Sequence, residues 1–517
     1  MENSCLLSWI IFTPLLFAFL VMILPKSMEH LFRKIALVQT LVSALIATYL
    51  YANFDGGAAG AQFVHLVPWL PEWGINYLVS IDGISLPLVM LTAFVGPVAI
   101  LGTWPDLSHG AQLKKEKFFV MCIMALQTGM YGTFLSSDIF LFYFFWEVVL
   151  IPMFFMIGIW GGKDRIYATV KFFLYTMVGS LLMLVAIFWM LKTSAEGNGN
   201  PSADFATLST LNFAFDGSSL GAALMSPQSL LFLAFALAFV IKVPMVPFHT
   251  WLPDAHVQAP TVGSVFLAAV LLKMGTYGLM RIAIPMFPQA AFYFSHVFIV
   301  LGVIGIVYGA FCALAQTDFK KLVAYSSVSH MGYIVVGLFS FQKIAIAGSL
   351  YQMINHGISA GGLFMVVGFL YERLHTRNLE DFGGLAKVVP LMAIGFMIMT
   401  LSSVALPGSN GFVGEFPILL GAFQVHPLYV LFAATGVIFG AVYALKAYQM
   451  VMLGPKTRTD LDQLHDLNAR EIIAMGVLTV FVFGIGFFPK TFFWKSDAAL
   501  DVYSNNLIQK VGTYATK

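Results

Sequence analysis

The stretch IKVPMVPFHTWLPDAHVQAPTVGSVFLAAVLLKMGTYGLMR, Ile241–Arg281, decides how this chain folds. It begins inside an apolar run (228–248) that carries Lys242 in FALAFVIKVPMVPF. It then turns through Trp251-Leu252-Pro253-Asp254 and enters a second apolar run (260–285) that carries Lys273 in SVFLAAVLLKMGTYG. An apolar run of about 20 residues crosses the hydrocarbon core as a helix. The segment therefore predicts two membrane helices, each with a lysine at depth, the first broken at Pro244 and Pro247. Each proline removes a backbone donor and frees a carbonyl. At membrane depth such carbonyls are tolerated only where protein or water satisfies them. Lys242 is thus expected to line a hydrated interior.

The same pattern repeats outward in both directions. About fourteen runs qualify as spans, near 6–24, 31–52, 84–104, 117–136, 138–160, 167–191, 228–248, 260–285, 293–316, 320–340, 344–371, 388–422, 428–453 and 471–489. The run 388–422 is too long for one straight span and is broken at Pro407-Gly408, making a second interrupted helix. The fold class is all-α, a polytopic membrane protein. Of the 517 residues, 59% are hydrophobic and 10% charged. A soluble domain has about a quarter charged residues, so this chain cannot cover itself with a solvated surface. The net charge of +2 argues for neither acidic partners nor nucleic acid. Cys5, Cys122 and Cys312 are isolated and form no CxxC, so neither an iron–sulfur cluster, a zinc site nor a disulfide framework is expected. The first run lacks a basic leader and an A-x-A site and reads as a retained span. Lys192–Gln228 reads as a polar loop, and the tail after Lys490 as an interfacial or partner-binding segment.

Lysine and arginine mark the inner side of a membrane protein. With the N-terminus outside, 17 fall on inner loops, among them Lys114, Lys115, Lys171 and Lys320, against 7 outside. Both termini are expected on the outer, periplasmic side of a bacterial inner membrane.

An internal repeat is suggested by spacing. Lys242 and Glu415 each sit by a break, 415 − 242 = 173 residues apart, and Lys273 and Lys446 share the offset, 446 − 273 = 173. An odd number of helices between equivalent positions inverts the second copy, an arrangement common in transporters. The expected organisation is N-terminal helices (1–110), two five-helix units (111–290 and 291–455) and a C-terminal helix and tail (456–517).

A charged group in the bilayer core costs about 2.5–3.5 kcal/mol on the mildest scale and is by default functional. Deep ones here are Glu147 in FYFFWEVVLIPMFF, Lys242, Lys273, His330 in AYSSVSHMGYIVV, His356 in YQMINHGISAGG and Glu415 in GSNGFVGEFPILL. They make a series of titratable sites such as a proton relay requires. A lysine takes part only if burial draws its pKa toward working pH, and a nearby carboxylate can reverse that. Glu147 and Lys242 are the natural pair for such control. Gly263, Ser264, Ser326, Ser327, Ser329, Gly361 and Gly362 leave room for close packing and water. The plainer readings are a structural Glu147–Lys242 ion pair, packing histidines at His330 and His356, and loop or helix-end residues at His249 and His256. Lys446, near the inner end of its span, reads as snorkelling to the surface.

At these residues the chain resembles the antiporter-like subunits of respiratory complex I (NADH–quinone oxidoreductase). The likeness rests on Ile241–Arg281, on TDFKKLVAYSSVSHMG (Thr317–Gly332) and on the His356 segment. FLFYFFWEVVLIPMFFMIGIWGG (Phe140–Gly162) and LPGSNGFVGEFPILLGAFQV are similar to the M-type member. The resemblance implies fourteen helices with two inverted five-helix repeats and two broken helices. It implies that Glu147 and Lys242 are the ion pair of the first half-channel, Lys273 the connecting lysine, Glu415 the terminal ionisable residue, and His330 and His356 members of the central axis. It further implies a proton-translocating chain without cofactors of its own. NAD, FMN, iron–sulfur clusters and quinone would belong to partner subunits, and L-type, N-type and small membrane subunits would be its neighbours. The alternatives left open are a multisubunit cation/proton antiporter, a ferredoxin-driven homologous complex, and a membrane cytochrome using His249, His256, His330 and His356. Glu415, where antiporter chains carry lysine, weighs against the first.

Overall fold

The computed structural model describes residues 5–104 and 116–515. Lys114, Lys115 and the boundary expected at 110/111 lie outside the described residues. Twelve helices among them are long and apolar enough to cross a membrane, and two shorter apolar helices, Pro227–Lys242 and Pro390–Ser403, coincide with the two runs read as broken.

In chain order the principal helices are α1 (Leu6–Ile23), α2 (Glu29–Asn53), α3 (Ser85–Gly102), α4 (Glu116–Leu135), α5 (Ile139–Val148), α6 (Leu150–Trp160), α7 (Arg165–Asn198) and α8 (Pro227–Lys242). They continue with α9 (Trp251–Gln258), α10 (Thr261–Met286), α11 (Ser295–Leu314), α12 (Phe319–Phe339) and α13 (Lys343–Leu374). The last are α14 (Pro390–Ser403), α15 (Asn410–Phe423), α16 (Pro427–Met452), α17 (Ala469–Phe487) and α18 (Pro489–Ala515). The segment read as a loop, 192–228, is partly helical, because α7 runs on to Asn198 and a short helix forms at Leu220–Met225.

The bundle is layered by burial. The most apolar windows of α10 and α13 are entirely buried and that of α12 nearly so, whereas α1, α2, α7, α11, α16 and α17 present most of theirs outward. Helices buried all round can hold ionisable groups away from lipid, and α10, α12 and α13 carry Lys273, His330 and His356. Close crossings make this possible. A Cβ on Gly332 would stand 2.6 Å from the Gly302 carbonyl oxygen, so α11 and α12 meet backbone to backbone beside His330.

One element lies outside the all-helical expectation. Gln62–Leu70 and Ile75–Ile81 form an antiparallel hairpin between α2 and α3. Its turn places Gly74 at φ +63°, where a Cβ would strike the Pro201 carbonyl, so only glycine fits.

The two breaks share a geometry. Met245 N–H returns to the Val240 carbonyl at 3.0 Å and Leu406 N–H to the Leu401 carbonyl at 3.1 Å, the long bond that closes a helix C-terminus. The breaks are thus 406 − 245 = 161 residues apart, not 173. Lys242 ends the half-helix before its break, and Glu415 follows its own break within α15. Lys273 is fully buried while Lys446 is exposed on α16. The 173-residue offset therefore does not bring these residues to equivalent positions.

Candidate functional site

The first break leaves carbonyls without helical partners, and the sequence supplies one. Trp251 Nε1 donates to the Ile241 carbonyl at 2.8 Å, so α9 is clamped onto the end of α8 beside Lys242. Lys171 on α7 holds Asp254 at 2.7 Å, and the Tyr175 and Thr250 hydroxyls meet at 2.9 Å. At the second break Ser402 Oγ donates to Asn410 Oδ1 at 2.5 Å, and Asn410 Nδ2 donates to the Asn355 carbonyl at 3.2 Å, tying α15 to α13 next to His356.

Four of the six expected site residues form one connected line. Lys273 Nζ donates to the Ala268 carbonyl in a π-helical turn of α10 and lies 2.7 Å from His356 Nδ1. The His356 and His330 rings are 5.4 Å apart, centre to centre. His330 Nδ1 lies 2.6 Å from Glu415 Oε1, and Ser403 Oγ sits 3.1 Å from its Nε2. Gln352 Nε2 also donates to Glu415 Oε1, at 2.8 Å, and the Tyr443 hydroxyl stands 3.4 Å from His330 Nε2. All four titratable residues are buried. Such a line can pass a proton by side-chain exchange, with only the His356–His330 step lacking a direct bond. His356 Nε2 has no bonded partner among the described residues.

Glu147 and Lys242 are not in contact. The Lys242 ammonium lies over the Trp146 ring, 3.9 Å from its centre, and no carboxylate of the described residues is within 4.0 Å of it. A cation held on an indole face keeps part of the stabilisation an ion pair would give. Glu147 Oε1 is buried without a bonded partner, near Ser180 and close enough to feel Lys242 through space. It sits where α5 gives way to α6, at a kink over Val149 followed by Pro152, whose missing N–H weakens the turn. The expected pair is therefore present as neighbours across a gap.

A second polar feature was only partly anticipated. A cavity of about 810 Å³ opens between the start of α4, the ends of α6 and α13, and the start of α17. It is lined by Lys320, Arg373, Arg377, Glu116 and Glu471. Lys320, assigned from sequence to an inner loop, is buried and donates to the Ala259 carbonyl at 2.5 Å. Beyond it His256 is wholly buried, stacked on Phe364 at 4.5 Å, with neither ring nitrogen bonded among the described residues. Its environment includes both Lys320 and Lys273, so it stands between the cavity and the line. His249 packs on Tyr308 and its Nδ1 is likewise unpartnered.

Sequence reasoning missed Gln352, Ser403, Tyr443 and Trp146. Gln352 had a faint signal, since it lies one helical turn before His356. The others are ordinary residue types that acquire a role only by what they touch. Among the described residues no group of three or more His, Cys, Asp or Glu side chains is placed to hold a metal. His330 and His356, with ring centres 5.4 Å apart, are too close to hold a porphyrin between them.

Residues 136–440 match the family described as NADH:quinone oxidoreductase/Mrp antiporter, transmembrane. The chain is 43% identical over 496 residues to NADH-quinone oxidoreductase subunit M of Rhodobacter capsulatus, covering 95% of this chain and 94% of that one. Its structure superposes on a chain of respiratory complex I from Thermus thermophilus with a TM-score of 0.85 at 30% identity, covering 97% and 99% of the two chains. A chain of the Mrp complex from Dietzia sp. DQ12-45-1b gives a TM-score of 0.82 at 19% identity over 99% of both chains, which speaks to the fold alone.

Proposed function

Because the chain belongs to the NADH:quinone oxidoreductase/Mrp antiporter family of transmembrane subunits, we propose that it is a proton-translocating membrane-arm subunit of NADH–quinone oxidoreductase. Quinone reduction elsewhere in the complex drives it, and NAD, FMN, iron–sulfur clusters and quinone are held by partner subunits. The observation that carries this reading is the buried succession Lys273–His356–His330–Glu415, bonded at both ends and joined in the middle by two histidine rings 5.4 Å apart.

Protons from the inner side collect in the polar cavity, lined by both basic and acidic side chains, and pass Lys320 and His256 to Lys273. From there they move through His356 and His330 to Glu415 and leave toward the outer side. Water of the kind that bonds otherwise unsatisfied buried polar groups fits the free nitrogens of His256 and His356. Glu147 and Lys242 act as the control element of the first half-channel. Lys242 has two resting places, the Trp146 face seen here and Glu147 across the gap, and its hold on a proton differs between them because an opposite charge favours the charged form. The two five-helix units are the two half-channels, and the neighbours are L-type, N-type and small membrane subunits. A cation/proton antiporter uses the same fold, but a carboxylate at Glu415 receiving a proton from His330 favours proton release over lysine-based exchange.

Glu147→Gln in the assembled complex tests the control element, with quinone reduction and ΔpH formation measured together. Pumping is expected to fall relative to electron transfer. Wild-type coupling would refute the role given to this pair.

A further inference from the structure

A second cavity, about 320 Å³, lies between α2, α3, α13, α17 and α18, away from the polar line. Its polar lining residues, Thr48, Tyr51, Thr491, Lys495 and Ser496, all gather at one end, where α2 finishes and α18 starts. Beyond them the walls are aliphatic and aromatic as far as Val98, Ile358 and Val477. From Pro87 to Val98 along α3 is about 16 Å of helix, close to half of the roughly 30 Å hydrocarbon thickness. The polar end is on the lysine-poor side of the bundle, the outer side in the charge-based orientation.

We propose that this slot holds one acyl chain of an anionic phospholipid, with the headgroup phosphate at Lys495. Three observations converge. The lining is apolar except at one end and extends over a length close to half the hydrocarbon thickness. An apolar cavity of this kind is not filled by water, and left empty its walls forfeit dispersion contacts. The cation that lines it, Lys495, makes no ion pair within 4.0 Å among the described residues. Lys495 Nζ donates to the Tyr51 carbonyl and, at 2.8 Å, to the Phe54 carbonyl, and lies over the Tyr51 ring. No carboxylate of the described residues is within 4.0 Å of it, and the nearby Asp55 instead accepts from Gly57 N–H at 2.9 Å. The Trp494 ring also lies 5.2 Å from the ammonium; of its three donors two are spent on carbonyls, and the third is the one that would meet a phosphate oxygen. The site also has a consequence for the relay helix. Ile354 and Ile358 line the slot two residues either side of His356, about 200° round α13. The bound chain would form the apolar backing of the helix whose other face carries the relay.

The test uses the assembled complex in nanodiscs of equal parts phosphatidylglycerol and phosphatidylcholine, imaged by cryo-electron microscopy with one lipid or the other brominated on its acyl chains. Bromine density is expected in the slot when phosphatidylglycerol carries the label, about fivefold stronger than when phosphatidylcholine does, the scale of one lysine–anionic lipid contact near a membrane surface. Lys495→Gln should equalise the two. Met90→Trp, which fills the slot from its wall without touching Lys495, should remove the density with either label. Equal labelling in the wild type, no bromine in the slot, or a neighbouring subunit's side chain occupying it would each overturn the proposal.

Discussion

Lys273 is buried on every side, yet its ammonium is not isolated. It donates to the Ala268 carbonyl and touches His356. Hydrogen bonds to a charged group are worth about 1.5–3 kcal/mol each, so two of them offset a membrane-core cost of about 2.5–3.5 kcal/mol. This makes the residue tolerable without fixing its proton permanently. His356→Leu removes one of the two bonds and the next carrier in line. Proton pumping is expected to fail, with residual quinone reduction read in the same vesicles. Pumping at the wild-type ratio would show that protons bypass this position. Trp251→Phe makes a different test, because it leaves the Ile241 carbonyl buried without its donor. That costs about 1–3 kcal/mol, and faster amide exchange over 243–250 with a lower Tm of the complex should report it. Unchanged exchange would mean that another group satisfies the carbonyl. Lys273, His330, His356 and Glu415 were legible in the sequence because ionisable residues are rare within apolar runs. Their partners Ser403, Gln352 and Tyr443 were not, because serine, glutamine and tyrosine are unremarkable at any depth. Which of them faces His330 or Glu415 depends on how α12, α13, α14 and α16 cross.

At the scale of elements, the line depends on how closely α13 approaches the π-helical turn of α10. A Cβ on Gly357 would stand 2.9 Å from the Ala269 carbonyl and 2.8 Å from Leu91, so alanine there must push the helices apart. Gly357→Ala is expected to lengthen the Lys273–His356 contact and slow proton transfer by up to about 100-fold, the scale of a displacement near 1 Å, with helix content unchanged by circular dichroism. A variant that pumps normally would show that the contact tolerates that displacement. The helices and both breaks were readable from apolar run length and proline position. The hairpin 62–81 was not, because strands of 9 and 7 residues are too short to register in a search for apolar runs of about 20. The Glu147–Lys242 separation was also invisible. Sequence puts both at membrane depth, and nothing in it shows whether Lys242 turns to Glu147 or to Trp146.

The whole molecule puts Lys273, His330 and His356 on three enclosed helices, brings Glu415 to them on α15, and surrounds them with outer helices, as a conductor is set within an insulator. Basic and acidic residues together line the inner cavity, Lys320 and His256 lead inward, and Glu415 ends the line next to the second break. The arrangement predicts that no single group stores the energy of transport, since the line runs through four titratable residues, bonded in two pairs whose histidine rings stand 5.4 Å apart. Glu415→Gln tests it most directly, because amide for carboxylate keeps the size of the side chain and removes its ability to take a proton from His330. In proteoliposomes holding the assembled complex, quinone reduction and ΔpH are followed at once. Coupled turnover is expected to fall on the order of 100-fold, the scale of losing one positioned proton carrier. Wild-type turnover with a wild-type proton-to-electron ratio would contradict the relay.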